Sequence, residues 1–201
     1  MGTNATAKPI RIPEGKRVIY VTGGSTGSHA INRVIFESIH DLLKEFIVIH
    51  QTGDSKVYKD FDKASELKEN LPQENRKNYI YKKYISPEEI GYVLNRANII
   101  VSRSGANTVN EILTLGKKSI LIPLPQGQEN EQLENARIAQ KQGFAIVLRQ
   151  DYLTKESLLV SIKEAIELLP KKPIDTYSKD AGKNIYSVIK NIYEQNKKKK
   201  S

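Results

Sequence analysis

Cysteine is absent from the 201 residues, which excludes disulfides and thiolate metal sites and suits a reducing compartment. No apolar run approaches the roughly 20 residues that a membrane-spanning helix needs. Residues 1–16 lack the apolar stretch of a secretory signal, so a cytoplasmic location is expected. Two common phosphate-binding signatures are missing as well. There is no G-x-x-x-x-G-K-[ST], and no G-x-G-x-x-G with an acidic residue at the end of the next strand. A nucleoside triphosphatase and a nicotinamide cofactor are therefore disfavoured. Charge of one sign is also scarce in the body of the chain. The formal net charge is +9, but residues from Lys171 onward account for +6 of it, leaving +3 for the first 170. Without a basic stripe to neutralise a run of phosphates, nucleic acid is not an expected partner.

What is present is a regular alternation from Arg17 to Pro170. Short, β-branched apolar runs recur at 17–21, 46–50, 79–84, 98–102, 119–123 and 144–148. Several are apolar at consecutive positions, as strands covered on both faces require. Between them lie segments with helical spacing, such as Ile31, Val34, Ile35, Ile39, Leu42 and Leu43, then Val109, Ile112 and Leu113, then Leu158, Ile162 and Ile166. Ser86-Pro87-Glu88-Glu89 opens a further helix with a cap, a proline and acids against the dipole. Repeated strand–helix–strand units predict an α/β fold with a doubly wound parallel sheet of about six strands. The expected organisation is a linker over 1–16, the α/β domain over 17–170, a helix over 171–196 and a basic tail over 197–201. The helix carries Tyr177, Ala181, Ile185, Val188 and Ile192 on one stripe.

In an open parallel sheet, ligands bind beyond the carboxyl ends of the strands. Three segments of unusual composition fall there. Thr22-Gly23-Gly24-Ser25-Thr26-Gly27-Ser28 joins the first strand to a helix, and a helix N-terminus attracts anions. Ser102-Arg103-Ser104-Gly105-Ala106 repeats that arrangement, and Glu111 one turn into its helix offers a carboxylate to two vicinal hydroxyls. Pro123 to Ala136 is dense in amides and carboxylates, which suits reading sugar hydroxyls. A plain glycine turn, a capped helix and a solvated loop would each explain one segment alone. Their recurrence at successive strand ends favours one shared site.

These residues resemble a known family. Gly23-Gly24-Ser25 with Ala30-Ile31-Asn32, His50-Gln51-Thr52-Gly53, Ser102-Arg103-Ser104-Gly105-Ala106 with Glu111, and Gln132 with Asn135-Ala136 look like the C-terminal domain of the MurG family. Those enzymes transfer GlcNAc from UDP-N-acetylglucosamine to complete lipid II in peptidoglycan synthesis. The resemblance implies the GT-B architecture, in which two Rossmann-like domains face each other and the C-terminal one holds the donor. It places Ser25 near the donor's phosphates or sugar, with Gly24 beside it, and Ile85 on the uracil edge next to Tyr84. Gly105, Ala106, Asn107, Thr108, Val109 and Asn110 would wrap the diphosphate and ribose, with Glu111 on the ribose hydroxyls. Gln132 would contact the sugar, flanked by Glu131 and Asn135. Arg103 is a further candidate for binding the donor, and Arg11 a candidate for the linker arginine that meets the diphosphate. No metal and no separate cofactor are implied, since UDP-GlcNAc is the donor substrate.

The resemblance further implies that the catalytic base belongs to an acceptor-binding domain, for which this sequence offers no counterpart before Arg17. Expected partners are thus a UDP-sugar, an acceptor-binding domain or subunit, and a lipid-linked acceptor reached at the inner face of the plasma membrane. A donor subunit of a split transferase fits the same residues. Two readings from other classes stand beside it: a UDP-sugar epimerase or hydrolase using Glu129, Glu131 or Glu134, and a pure interaction module.

Overall fold

The computed structural model describes residues 10–125 and 130–170. Six strands form: β1 Arg17–Thr22, β2 Phe46–Gln51, β3 Tyr79–Lys82, β4 Ile99–Ser102, β5 Lys118–Leu121 and β6 Ala145–Val147. Every pairing between them is parallel. The helices are α1 His29–Glu45, α2 Asp60–Asn70, α3 Gln73–Arg76, α4 Pro87–Arg96, α5 Ala106–Leu115, α6 Glu131–Lys141 and α7 Lys155–Glu167. All six expected strand segments are present. The helices α2 and α3 were not expected from the sequence.

Consecutive apolar residues along a strand serve two different cores because successive side chains point to opposite faces. Ile19, Val21, Ile99, Val101 and Ile120 pack with the apolar stripes of α1 and α7. Val18, Tyr20, Ile47, Ile49, Ile100 and Leu121 pack on the other face with α4, α5 and α6. Ile10 and Ile12, within the segment expected to be a linker, are buried against this second face. The Ile10 amide donates to Glu89 Oε1 at 2.8 Å, and Lys82 Nζ lies 2.8 Å from both oxygens of the same carboxylate. One glutamate thereby joins β3, α4 and the N-terminal segment. The helix expected over 171–196 and the tail over 197–201 lie outside the described residues.

Strand order is β3-β2-β1-β4-β5-β6. The chain winds outward from β1 to β3, then returns to the other side of β1 and winds outward again to β6. Connections leaving β1 and β4 therefore diverge to opposite faces of the sheet, opening a crevice beyond their carboxyl ends. That crevice is where the first two glycine segments meet.

Candidate functional site

Beyond β1 the chain turns through Gly23–Ser28 into α1. Ser28 holds the N-cap position with extended backbone, yet its side chain makes no cap bond and the first turn contains no acidic residue. Its hydroxyl instead accepts from Arg103 at 2.7 Å. An uncapped start costs a helix about 1 kcal/mol. The buried Ile31, Val34, Ile35, Ile39, Leu42 and Leu43 stabilise α1 by roughly 1.5–3 kcal/mol each, so the helix holds regardless. Its first-turn amides stay available for a ligand.

The second glycine segment copies this arrangement. Gly105 is the N-cap of α5, has no side chain to cap with, and precedes a first turn free of acids. Ser104 Oγ donates to the Gln132 carbonyl at 2.7 Å and Asn135 Nδ2 donates to the Ser104 carbonyl at 3.3 Å, which ties α6 to the same loop. Gln132 Oε1 accepts from the Leu124 amide at 3.2 Å.

Two adjoining cavities lie over these helix starts. The larger, about 760 Å³, is walled by the β1–α1 loop, the start of α1, Tyr58, Arg103, Gly105, Gln132 and Gln150. The smaller, about 390 Å³, is a mostly apolar slot bounded by Tyr20, Tyr84, Ile85, Ile90, Leu94 and Glu111. Gly24, Ser25 and Thr108 belong to both and form the divide between them. Among the described residues, Glu111 is the one carboxylate on the slot, and the larger cavity has none. Burial pushes the Tyr20 phenol up to about 12, opposed by its hydrogen bond to Thr22 and assisted by the charge of Glu111.

Most of the expected site residues converge here, with informative exceptions. Ser25, Gly24, Tyr84, Ile85, Gly105, Thr108, Glu111, Arg103 and Gln132 all line one cavity or both. Arg103 directs its two terminal nitrogens to protein acceptors: the Ile122 and Pro123 carbonyls at 3.1 and 3.3 Å, Ser28 Oγ, and Gln150 Oε1 at 2.6 Å. It works as a clamp between β5 and α1. The Ile85 amide donates to Gln51 Oε1 at 3.0 Å, so it can meet a base only if Gln51 turns away. Val109 is buried among the core side chains, because position four of α5 faces the sheet. Ala106, Asn107 and Asn110 are exposed and Asn135 is half-buried; none of them lines either cavity. Glu131, Glu134 and Arg11 are exposed and lie outside both walls, while Glu129 falls outside the described residues.

Behind the larger cavity runs a buried polar chain that periodicity does not reveal. Asn32 Nδ2 donates to the Thr52 carbonyl at 2.9 Å and to Asp60 Oδ2 at 2.8 Å, which makes its Oδ1 the acceptor for His50 Nε2 at 2.9 Å. His50 Nδ1 then accepts from the Tyr79 hydroxyl at 3.0 Å. Both partners suit a neutral imidazole, and burial pulls His50 down to about 3 despite the nearby charge of Asp60. His50 is thus structural, as its strand-end position suggests.

A parallel sheet in this order, with two uncapped helix starts over one divided cavity, defines a doubly wound, Rossmann-like domain. Comparison with known sequences gives the family. Residues 18–192 match the glycosyltransferase family 28 C-terminal domain, and the chain belongs to that family. It is 32% identical over 195 residues to the UDP-N-acetylglucosamine–N-acetylmuramyl-(pentapeptide) pyrophosphoryl-undecaprenol N-acetylglucosamine transferase of Prochlorococcus marinus (strain MIT 9312), covering 94% of this chain and 48% of that protein. The similarly named protein of Clostridium perfringens (strain SM101 / Type A) is 37% identical over 152 residues, or 75% of this chain and 39% of its own length. The chain thus spans about half the length, or less, of the curated relatives it matches.

Among solved structures, MurG of Acinetobacter baumannii superposes with a TM-score of 0.61 at 24% identity, over 78% of this chain and 44% of that one. ALG13 superposes with a TM-score of 0.58 at 16% identity, over 82% of this chain and 93% of that one. At these identities the likeness is one of fold. Among the described residues no helix is long and apolar enough to cross a membrane, and no group of three or more His, Cys, Asp or Glu converges as metal ligands would.

Proposed function

We propose that this chain is the donor-binding half of an inverting glycosyltransferase that moves GlcNAc from UDP-GlcNAc to a lipid-linked acceptor in peptidoglycan (lipid II) synthesis. The acceptor site and the base would come from a further domain or subunit, working at the cytoplasmic face of the membrane. One observation carries the reading: two uncapped helix starts, after β1 and β4, face a cavity divided into an apolar slot and a larger chamber edged by glycine, hydroxyl and amide groups. Uracil and ribose fit the slot, with Glu111 accepting from the ribose hydroxyls. The diphosphate lies across Gly24, Ser25 and Thr108, and the sugar enters the chamber towards Gln132. The names of the relatives, which specify N-acetylglucosamine transfer to a pyrophosphoryl-undecaprenol carrier, support the choice of donor and acceptor.

In this arrangement the chain's contribution to catalysis is electrostatic. Amides at the starts of α1 and α5 stabilise the charge that grows on the departing diphosphate. They do so without a metal ion, so chelators should leave binding unchanged. An acid–base role for this chain alone finds little support, since Glu131 and Glu134 lie outside the cavities. A dinucleotide is likewise poorly served: the residue at the end of β2 is Gln51, whose side chain amide donates to Thr22 Oγ1 and the Gly24 carbonyl.

Calorimetric titration of the full chain with UDP, UDP-GlcNAc, UDP-glucose and NADH tests the reading. UDP and UDP-GlcNAc should bind, with or without EDTA, and NADH should not. A chain that ignores uridine nucleotides, or turns over UDP-GlcNAc by itself, would contradict it.

A further inference from the structure

His29 is the first residue of α1 and lines the larger cavity. Its ring is held on two sides. Nδ1 lies 2.9 and 3.2 Å from the two oxygens of Asp60, and the ring stacks on Tyr58 with centroids 4.0 Å apart and planes 5° from parallel. Asp60 is only 2% exposed and also accepts from Asn32, at the end of the chain of bonds that starts at Tyr79. Every donor in that chain points towards Asp60, and an ionised carboxylate can only accept, so the bond to it is made by an Nδ1–H of His29. Nε2 has no protein partner among the described residues. A buried carboxylate needs hydrogen-bond donors or a cation beside it, and among the described residues His29 is the one basic side chain paired with Asp60.

We propose that His29 is a phosphate-contacting residue, presenting an Nε2–H bond to an oxygen of the donor's diphosphate, with Asp60 as the residue that positions it. The proposal rests on the donor-binding reading above. Donating from Nδ1 to a carboxylate and from Nε2 to a phosphate requires the doubly protonated ring, which an anion on either side favours. The positive end of α1 opposes that charge, and the two anions outweigh it. The other charged or titratable side chains on the same wall are Arg33 from α1, Tyr58 from the loop before α2, and Arg103 from the loop after β4. Arg33 pairs with Glu37 at 3.3 Å and Arg103 is taken up by protein acceptors, which leaves His29 as the basic side chain of that wall with a ring nitrogen still to be partnered.

Three histidines make the test direct, because the ring nitrogens of His29, His40 and His50 can be followed separately by 15N NMR at a fixed pH near 7. UDP should move His29 Nε2 towards the imidazolium position and leave buried His50 unchanged. Uridine, which lacks the phosphates, should leave His29 where it is. His29→Ala should weaken UDP by about tenfold or more, the range of a charge-assisted bond, with little change for uridine. Asp60→Asn should reduce the UDP-induced shift of His29 even where the fold is retained. UDP binding with His29 unmoved and the alanine variant equal to wild type would overturn the proposal while the donor reading stands. A response to UDP-GlcNAc but not to UDP would put a sugar hydroxyl on Nε2 and overturn it as well. No binding of either uridine or UDP would instead bring down the donor reading, and this proposal with it.

Discussion

Gly27 and Gly53 meet backbone to backbone. Both have positive φ, +77° and +76°, and a Cβ on Gly53 would stand 2.5 Å from the Gly27 nitrogen, while one on Gly27 would overlap the Thr52 carbonyl. The contact locks the β1–α1 loop onto the end of β2 and so fixes the cavity wall. Gly27→Ala or Gly53→Ala must therefore shift main chain as well as adopt a strained φ, at a cost of about 1–3 kcal/mol or more. Urea unfolding of each variant measures this. Wild-type stability in both would show that the loop has room the contact denies.

Glu111 is exposed and lines the slot. Glu111→Ala should weaken UDP binding by about 1–3 kcal/mol, the cost of two ribose hydroxyls left without an acceptor. Calorimetry with UDP reads the change, and 2′-deoxy-UDP should recover part of the difference between variant and wild type. An unaltered affinity would remove Glu111 from the site.

His50 is neutral in the folded chain and held down to about 3, whereas an unfolded histidine titrates near 6.5. Between those values the unfolded state binds the extra proton. Stability should therefore be fully present above about 6.5 and fall progressively as the pH drops towards 3. The loss amounts to a few kcal/mol at the bottom of that window. Denaturant midpoints across the range would show the slope, and His50→Gln should flatten it. An identical slope in that variant would assign the acid limb to other groups.

Glu89 behaves in the opposite chemical sense with the same direction in pH. Burial pushes its carboxyl up, but Lys82 and the Ile10 amide outweigh burial and hold it below the ordinary carboxylate range. Its contribution is present above the unfolded value near 4.3 and lost as the pH falls through the depressed one. Glu89→Gln should lower stability at pH 7 and narrow the gap to wild type below pH 4. It should also loosen residues 10–12, readable as faster amide exchange at Ile12. Equal exchange in both proteins would mean that Ile10 and Ile12 hold that segment by packing alone.

The sheet was legible because its signal is local: β-branched runs apolar at every position announce strands covered on both faces, and β2 is buried along its whole length. The two glycine segments were legible for the same reason, and so was the slot carboxylate one turn into α5. The stretch from Asp54 to Arg76 was not. Helix α2 fully buries only Asp60 and Ala64, its other apolar residues Phe61 and Leu67 are half-covered, so its stripe is weak, and Lys59 starts it from a left-handed conformation with no capping side chain. His29 and Asp60 are 31 residues apart, and nothing in either neighbourhood announces their pairing. Arg103 and Ile85 show a subtler limit. The family resemblance makes them donor-binding candidates and both line the cavities, but only coordinates show that their donors already have protein acceptors.

The ridge made by Gly24, Ser25 and Thr108 gives the pocket the character of two rooms with a shared threshold. A molecule confined to one room must be caught by that room alone. One long enough to straddle the threshold is caught twice, and its second half arrives at a high effective concentration set by the first. Free nucleoside and free sugar should accordingly compete poorly against the joined ligand, and once the bond between the halves is cut, the two fragments should leave far more readily than the intact molecule did.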